Sequence, residues 1–261
     1  VVRCLQLGAE DYLPKPFDPV LLKARIEASM ERKRMRDQEQ TLMRTVEMER
    51  RKADNLLLNI MPESVAQRLK AGEKIIANTH QAVTVMFTDI VDFTNLSNRI
   101  SAEELVQRLN LIVSRYDELA TEFGVEKRKT IGDGVMLVCG LPLPNDKHAG
   151  IIARLALRLQ KEICRFSLFE QETLKLRIGI HSGAVVAGVI GSKKLSYDLW
   201  GATVNIASRI ESYSLPGKIQ VSEATYHLIK NEFHLEKRGC IDIRGVGEMT
   251  TYFLNGELEP H

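Results

Sequence analysis

The chain has 261 residues, with 36 basic and 34 acidic side chains, a formal net charge of +2 and a hydrophobic content of 44%. That suits one ordinary domain with extra material, or two small domains. The mixed charge excludes the strong single-sign field of a nucleic-acid or membrane binder, and no apolar run is long enough to span a bilayer. Cys4, Cys139, Cys164 and Cys240 lack metal-ligand spacing and are expected to be reduced, mostly buried thiols of a cytoplasmic protein.

Residues 1–30 are too few to bury a core of their own. Residues 1–7 read as the end of an amphipathic helix stopped by Gly8, and residues 11–16 as a short strand running into a Lys-Pro bend. Asp18 and Pro19 then open a helix as N-cap and first helical residue. The string from Gly8 to Phe17, Gly-Ala-Glu-Asp-Tyr-Leu-Pro-Lys-Pro-Phe, resembles the C-terminal end of a two-component receiver domain. Lys15 matches the lysine that precedes proline in that family, which implies a phosphoryl-accepting aspartate upstream.

Residues 31–81 read as a transducing linker. No glycine occurs between Pro19 and Met61, and the composition is rich in helix formers. Met43, Val46, Arg50, Ala53, Leu57 and Ile60 are spaced as a heptad seam with one polar intruder. A parallel two-stranded coiled coil is expected; the blander reading is a solvated helix. Pro62 breaks the helix, Glu63 to Leu69 restarts a short one, and Gly72 to Gln81 reads as a loop.

Residues 82–261 carry the chemistry. Val83, Val85 and Phe87 alternate with Thr84, Met86 and Thr88 in a buried strand that ends at the acid Asp89. Ser101 and Glu104 form a capping box that opens a long amphipathic helix ending at Gly124. A hairpin follows, with its tip at Gly132-Asp133-Gly134. A carboxylate at a strand end and another at a hairpin tip can meet across neighbouring strands, and such a pair suits hard divalent cations. A helix is expected over 147–169, strands over 174–180 and 184–190, a strand over 219–222, a helix over 223–233 and a closing strand pair over 241–254. Strands and helices interleave without a strict βαβ rhythm, which predicts an α+β sandwich with a mixed or antiparallel sheet.

Asn205 and Arg209 lie four residues apart on a predicted helix, hence on one face, and an arginine fork with a neighbouring amide suits charge building on a phosphate. Lys129 is a donor and Asp198 an acceptor. Adenine offers an acceptor at N1 and a donor at its amino group, which this pair matches, whereas guanine presents the opposite pattern at those two positions.

Taken together, Phe87-Thr-Asp89-Ile90, Lys129-Thr-Ile-Gly-Asp133, Gly179-Ile-His-Ser-Gly183, Tyr197-Asp198-Leu-Trp-Gly201 and Asn205-Ile-Ala-Ser-Arg209 resemble a class III nucleotidyl cyclase catalytic domain. The resemblance covers about two thirds of the chain and implies a ferredoxin-like, palm-like α+β sandwich carrying an N-terminal helical coiled-coil extension. It implies that Asp89 and Asp133, with the Ile90 carbonyl, hold two Mg²⁺ or Mn²⁺ ions. Lys129 and Asp198 become the adenine readers, Asn205 orients the ribose and Arg209 stabilises the transition state. Arg244 stands where the family usually has a phosphate-binding lysine, and Asp92 where many members have glycine. The implied activity is conversion of ATP to 3′,5′-cyclic AMP and pyrophosphate, at sites shared by a head-to-tail homodimer. The rival readings are a guanylyl cyclase and a catalytically silent dimeric signalling module.

Overall fold

The structure is a computed structural model that describes residues 6, 8, 15, 16, 18–58, 60–164, 167–169, 172–191 and 195–259. Most of the receiver-like string therefore lies outside the described residues; Lys15 is joined to Pro16 by a cis peptide bond. The chain divides into two compact units, Val1–Ala66 and Gln67–His261.

In the first unit, helix α1 (Pro19–Leu58) runs for 40 residues. Asp18 caps it as expected, its Oδ1 accepting the Val20 N–H at 2.7 Å. None of its residues is buried, and Met43 and Val46 of the expected seam are exposed. The sequence predicts a helix to Met61; it stops at Leu58, and α2 (Glu63–Lys70) starts after Pro62.

The second unit is built on β1 (Ala77–Ile90), α3 (Phe93–Ser97), α4 (Ala102–Phe123), β2 (Glu126–Ile131), β3 (Gly134–Cys139) and α5 (His148–Ile163). There follow β4 (Ser167–Phe169), β5 (Glu172–Thr173), β6 (Leu176–Ile190), β7 (Ser196–Trp200), α6 (Ala202–Ser212), β8 (Lys218–Ser222), α7 (Glu223–Ile229), β9 (Phe233–Ile243) and β10 (Gly247–Glu257). The main sheet has the order β2-β3-β1-β6-β8-β10-β9, with β7 paired to β6; β4 and β5 form a separate ribbon. Among the described residues only β6 and β8 pair in parallel, so the sheet is mixed, as the irregular rhythm of elements predicts.

Alternation along the strands sorts the two faces. Met86 and Ile90 of β1, Ile178 and Ile180 of β6 and Val221 of β8 join one core with Ile112, Tyr116 and Leu119 of α4 and Ile152, Leu155 and Leu159 of α5. The opposite face takes α6. Gly179 makes this possible, because a Cβ there would lie 2.0 Å from the Glu211 nitrogen and 2.7 Å from the Ala207 oxygen. Helix α4 starts and stops as its sequence dictates: the Ser101 hydroxyl accepts the Glu104 N–H, and Gly124 closes the helix in the left-handed region.

Buried hydroxyls thread the sheet in one hydrogen-bonded chain. His148 Nδ1 meets Thr84 Oγ1 at 2.6 Å, Thr84 meets Ser182 at 2.7 Å, and Ser182 meets Thr225 at 3.0 Å. Thr225 then meets Ser222 at 3.1 Å, and Ser222 meets His181 Nδ1 at 2.7 Å. Each polar group is satisfied by the next, which is how such groups tolerate burial.

Several boundaries differ from the sequence reading. The loop over 72–81 is already strand from Ala77, with a bulge between His80 and Val83. The two strands expected around His181-Ser-Gly183 are one continuous 15-residue strand, β6. Gly183 lies within that strand as a contact point: a Cβ would lie 2.6 Å from Thr203 Oγ1. The helix expected over 147–169 ends at Ile163, and the one over 223–233 ends at Ile229, because Phe233 is used by β9. Of the cysteines described, Cys139 is buried while Cys164 and Cys240 are exposed, contrary to the expectation of mostly buried thiols.

Candidate active site

Asp89 is the penultimate residue of β1, and Asp133 stands at the β2–β3 tip. Two glycines bring them together. Gly132 takes φ 62° to turn the chain, and a Cβ on Gly134 would lie 2.5 Å from the Thr88 oxygen, so only glycine lets the tip close on β1. Asp133 Oδ2 accepts the Ile90 N–H at 3.1 Å, which places Ile90 directly beside the acid pair. Burial, and then the Asp89 carboxylate beside it, push the Asp133 carboxyl up to about 6.

Two further charged groups complete this end of the site, and the sequence reading missed both. Arg177 pairs with Asp89 in the β1–β6 register and donates to Asp89 Oδ2 at 2.5 Å. Its Nε lies 3.7 Å from Glu211 Oε1 at the end of α6. Burial first, and the Asp89 charge second, push the Glu211 carboxyl up to about 7. One signal was available in the sequence. Lys175, Arg177 and Gly179 alternate with Leu174, Leu176, Ile178 and Ile180, so Arg177 shares the face that carries Asp89.

Crowded acids with one arginine between them form a site short of positive charge, and the donors are all oxygens. That chemistry fits a hard divalent cation. Among the described residues no group of three or more His, Cys, Asp or Glu side chains is arranged to hold a metal. The Asp89–Asp133 pair therefore supplies only part of a coordination shell, and backbone or phosphate oxygens would have to complete it.

Lys129 Nζ donates to Asp198 Oδ2 at 2.5 Å, and the other Asp198 oxygen accepts the Leu199 N–H at 2.8 Å. The donor and acceptor singled out from the sequence thus stand together. On α6, Asn205 is exposed and Arg209 half-buried, and neither side chain has an ion-pair or hydrogen-bond partner among the described residues. At about 100° per residue, Arg209 and Glu211 point roughly 200° apart around the helix. Glu211 reaches its own chain's Asp89 end, so Arg209 is turned away from it. Arg244 is exposed in the β9–β10 turn. Asp92 is exposed, with φ 58° the one non-glycine residue in the left-handed region among those described.

The family profile "Adenylate and Guanylate cyclase catalytic domain" matches residues 75–256. The chain belongs to this cyclase family. It is 44% identical over 212 residues to the receptor-type guanylate cyclase gcy-28 of Caenorhabditis elegans, covering 80% of this chain and 17% of that protein. It is 39% identical over 212 residues to an adenylate cyclase of Mycobacterium tuberculosis, covering 81% of this chain and 48% of that protein. Among solved structures, the guanylate cyclase domain of RhGC from Catenaria anguillulae in complex with GTP superposes with a TM-score of 0.67 at 37% identity, over 69% of this chain and 100% of that one. The chain therefore spans less than half the length of both curated relatives. Cyclase domains of this family are lyases that bind nucleotide, generally use divalent ions and function as dimers. Among the described residues no helix is long and apolar enough to cross a membrane.

Proposed function

We propose that this cyclase domain is an adenylate cyclase, converting ATP to 3′,5′-cyclic AMP and pyrophosphate. The observation that carries the reading is the Lys129–Asp198 pair at 2.5 Å. Between them these groups offer a donor to adenine N1 and an acceptor to its amino group. Guanine, with N–H at N1 and a carbonyl beside it, would face both groups with the wrong partner, and a site that leaves buried polar groups unpaired discriminates strongly.

The remaining roles are those that the resemblance to the family implies. Asp89 and Asp133, with the Ile90 carbonyl, would hold two Mg²⁺ or Mn²⁺ ions; ions bound there supply charge neutralisation of the triphosphate and acidify the ribose 3′-hydroxyl. Asn205 orients the ribose and Arg209 steadies charge at the α-phosphorus. Arg244, exposed on its turn, meets the outer phosphates. The opposed directions of Glu211 and Arg209 on α6 support sites shared between two copies in a head-to-tail homodimer, one giving the acids and the other giving Lys129, Asp198, Asn205 and Arg209. The exposed apolar stripe of α1 supports a parallel coiled coil between those copies, and the resemblance of residues 8–17 supports a receiver domain upstream of it.

The competing reading is a guanylyl cyclase, favoured by relatives such as gcy-28. Turnover of ATP and GTP in competition, with Mg²⁺ and with Mn²⁺, decides between them; a preference for GTP overturns the adenylate assignment. Turnover of neither purine would favour the silent module. Mixing Asp133→Ala with Arg209→Ala protomers tests the shared site. Two inactive parents should yield a partly active heterodimer, and continued silence would refute sharing.

A further inference from the structure

Strand β2 is regular except at one point. Lys127 pairs with Leu137 and Lys129 with Met136, so Arg128 is an extra residue bulged out of the β2–β3 ladder. A bulge re-aims side chains. Here its effect is that two consecutive residues, Arg128 and Lys129, both reach β7, a strand with which β2 shares no backbone pairing. Arg128 Nη2 donates to the Tyr197 carbonyl oxygen, and its guanidinium carbon stands 4.3 Å from the centre of the Tyr197 ring. The next residue on each strand makes the Lys129–Asp198 pair.

Arg128 is held there at a cost. Its side chain is only 6% exposed, and its one carboxylate partner among the described residues is Glu126, at 2.5 Å. Arg128 Nε and Glu126 Oε2 are both buried without a hydrogen-bond partner. Burying such a pair is weak support for stability, since apolar residues of similar volume commonly do as well. The arrangement accounts better for alignment than for folding strength. A fork and a flat cation fix the Tyr197 peptide in both distance and direction, which a greasy contact would not.

We propose that Arg128 is a specificity-positioning residue: by clamping Tyr197 of β7 to the bulge in β2, it sets the spacing at which Lys129 and Asp198 read the purine. The proposal rests on the assignment of Lys129 and Asp198 as base readers. Arg128 itself does not touch the nucleotide. With the clamp removed, β7 keeps its ladder to β6, but among the described residues the side-chain tie left between β2 and β7 is the Lys129–Asp198 contact, which must open to admit the base.

The test compares kcat/KM for ATP and GTP in wild type, Arg128→Gln, Arg128→Lys, Tyr197→Ala and Tyr197→Phe. Arg128→Gln should narrow the purine preference by about tenfold or more, chiefly through KM for the preferred purine, because misplacement by a fraction of an ångström is enough to lose such selectivity. Arg128→Lys should restore it only in part, since the ammonium lacks the fork and the flat face. Tyr197→Ala, which removes the ring but keeps the carbonyl, should fall between, and Tyr197→Phe should match wild type. A purely structural role predicts something else: both purines losing rate in proportion with the ratio unchanged. That result in Arg128→Gln, or in Arg128→Lys and Tyr197→Ala if Arg128→Gln does not fold, overturns the proposal. The two readings fail separately: a wild type that prefers GTP sinks the adenylate assignment, while an unmoved ratio sinks the clamp, whichever purine is preferred.

Discussion

Gly179→Ala tests how closely α6 must lie on the sheet. The added methyl would stand 2.0 Å from the Glu211 nitrogen, 2.5 Å from its Cα and 2.7 Å from the Ala207 oxygen, all backbone atoms that cannot rotate away. Ordinary carbon contacts begin at about 3.5 Å, so the helix must retreat by roughly 1.5 Å. Overpacking of this kind costs typically about 1–3 kcal/mol, and here the obstacle is a whole helix, so about 3 kcal/mol is expected. The same displacement moves Asn205 and Arg209, and a misplacement of about 1 Å can lower turnover roughly a hundredfold. Gly256→Ala is the control, because nothing lies within 4 Å of its Cβ position; it should change stability by no more than about 0.5 kcal/mol. Urea denaturation followed by far-UV circular dichroism, with cyclic nucleotide formation measured on the folded fraction, reads both effects. Wild-type midpoint and wild-type turnover in Gly179→Ala would refute the claimed contact between α6 and β6.

Three other expectations follow from groups near the site and in the core. Burial holds the His181 imidazole down at about 4, against an unfolded value near 6.5, so the unfolded chain takes up the proton first. Stability conferred by the neutral ring is whole above about pH 6.5 and falls as pH drops towards 4, by about 2 kcal/mol at pH 5; His181→Gln should flatten this slope in denaturation at a series of pH values, and an unchanged slope would assign it elsewhere. Arg177→Gln leaves Asp89 and Glu211 without their shared cation. It should lower the melting temperature without metal and enlarge the upward shift produced by saturating Mn²⁺, whereas an equal shift in both proteins would mean that Arg177 does not offset those charges. Asp92→Gly relieves a left-handed residue and should raise stability by about 1 kcal/mol in urea titration; a loss would show that the Asp92 side chain contributes more than its backbone costs.

Local chemistry made the acid pair readable in the sequence. A strand of β-branched and aromatic residues ending in Asp89, and an acid between Gly132 and Gly134, each announce a strand end and a tight tip. The Ser101 cap and the Gly124 stop were readable for the same reason, since both act within a few residues of themselves. What was missed depends on distant partners. The Arg177 pairing with Asp89 needs the β1–β6 register, and Glu211 matters only because Gly179 admits α6 so closely. Arg128 needs a bulge, and nothing in Lys127-Arg128-Lys129 says which of three basic residues is the extra one. The break expected between strands 174–180 and 184–190 has the same origin: the sequence shows a glycine at 183, and only the fold shows that it makes room for Thr203.

Strand β6 runs unbroken from Leu176 to Ile190, and its two ends serve different chemistry. Near its start Arg177 lies opposite Asp89; near its finish Gly188 lies opposite Asp198. The acid pair and the Lys129–Asp198 pair of one copy are thus mounted on a single beam rather than joined by a hinge. If each half works with the complementary half of a second copy, a tilt imposed at either end of the beam alters two catalytic centres at once. An upstream helix then need not enter an active site to govern it, since rotating one copy against the other would bring both centres into or out of alignment in the same stroke.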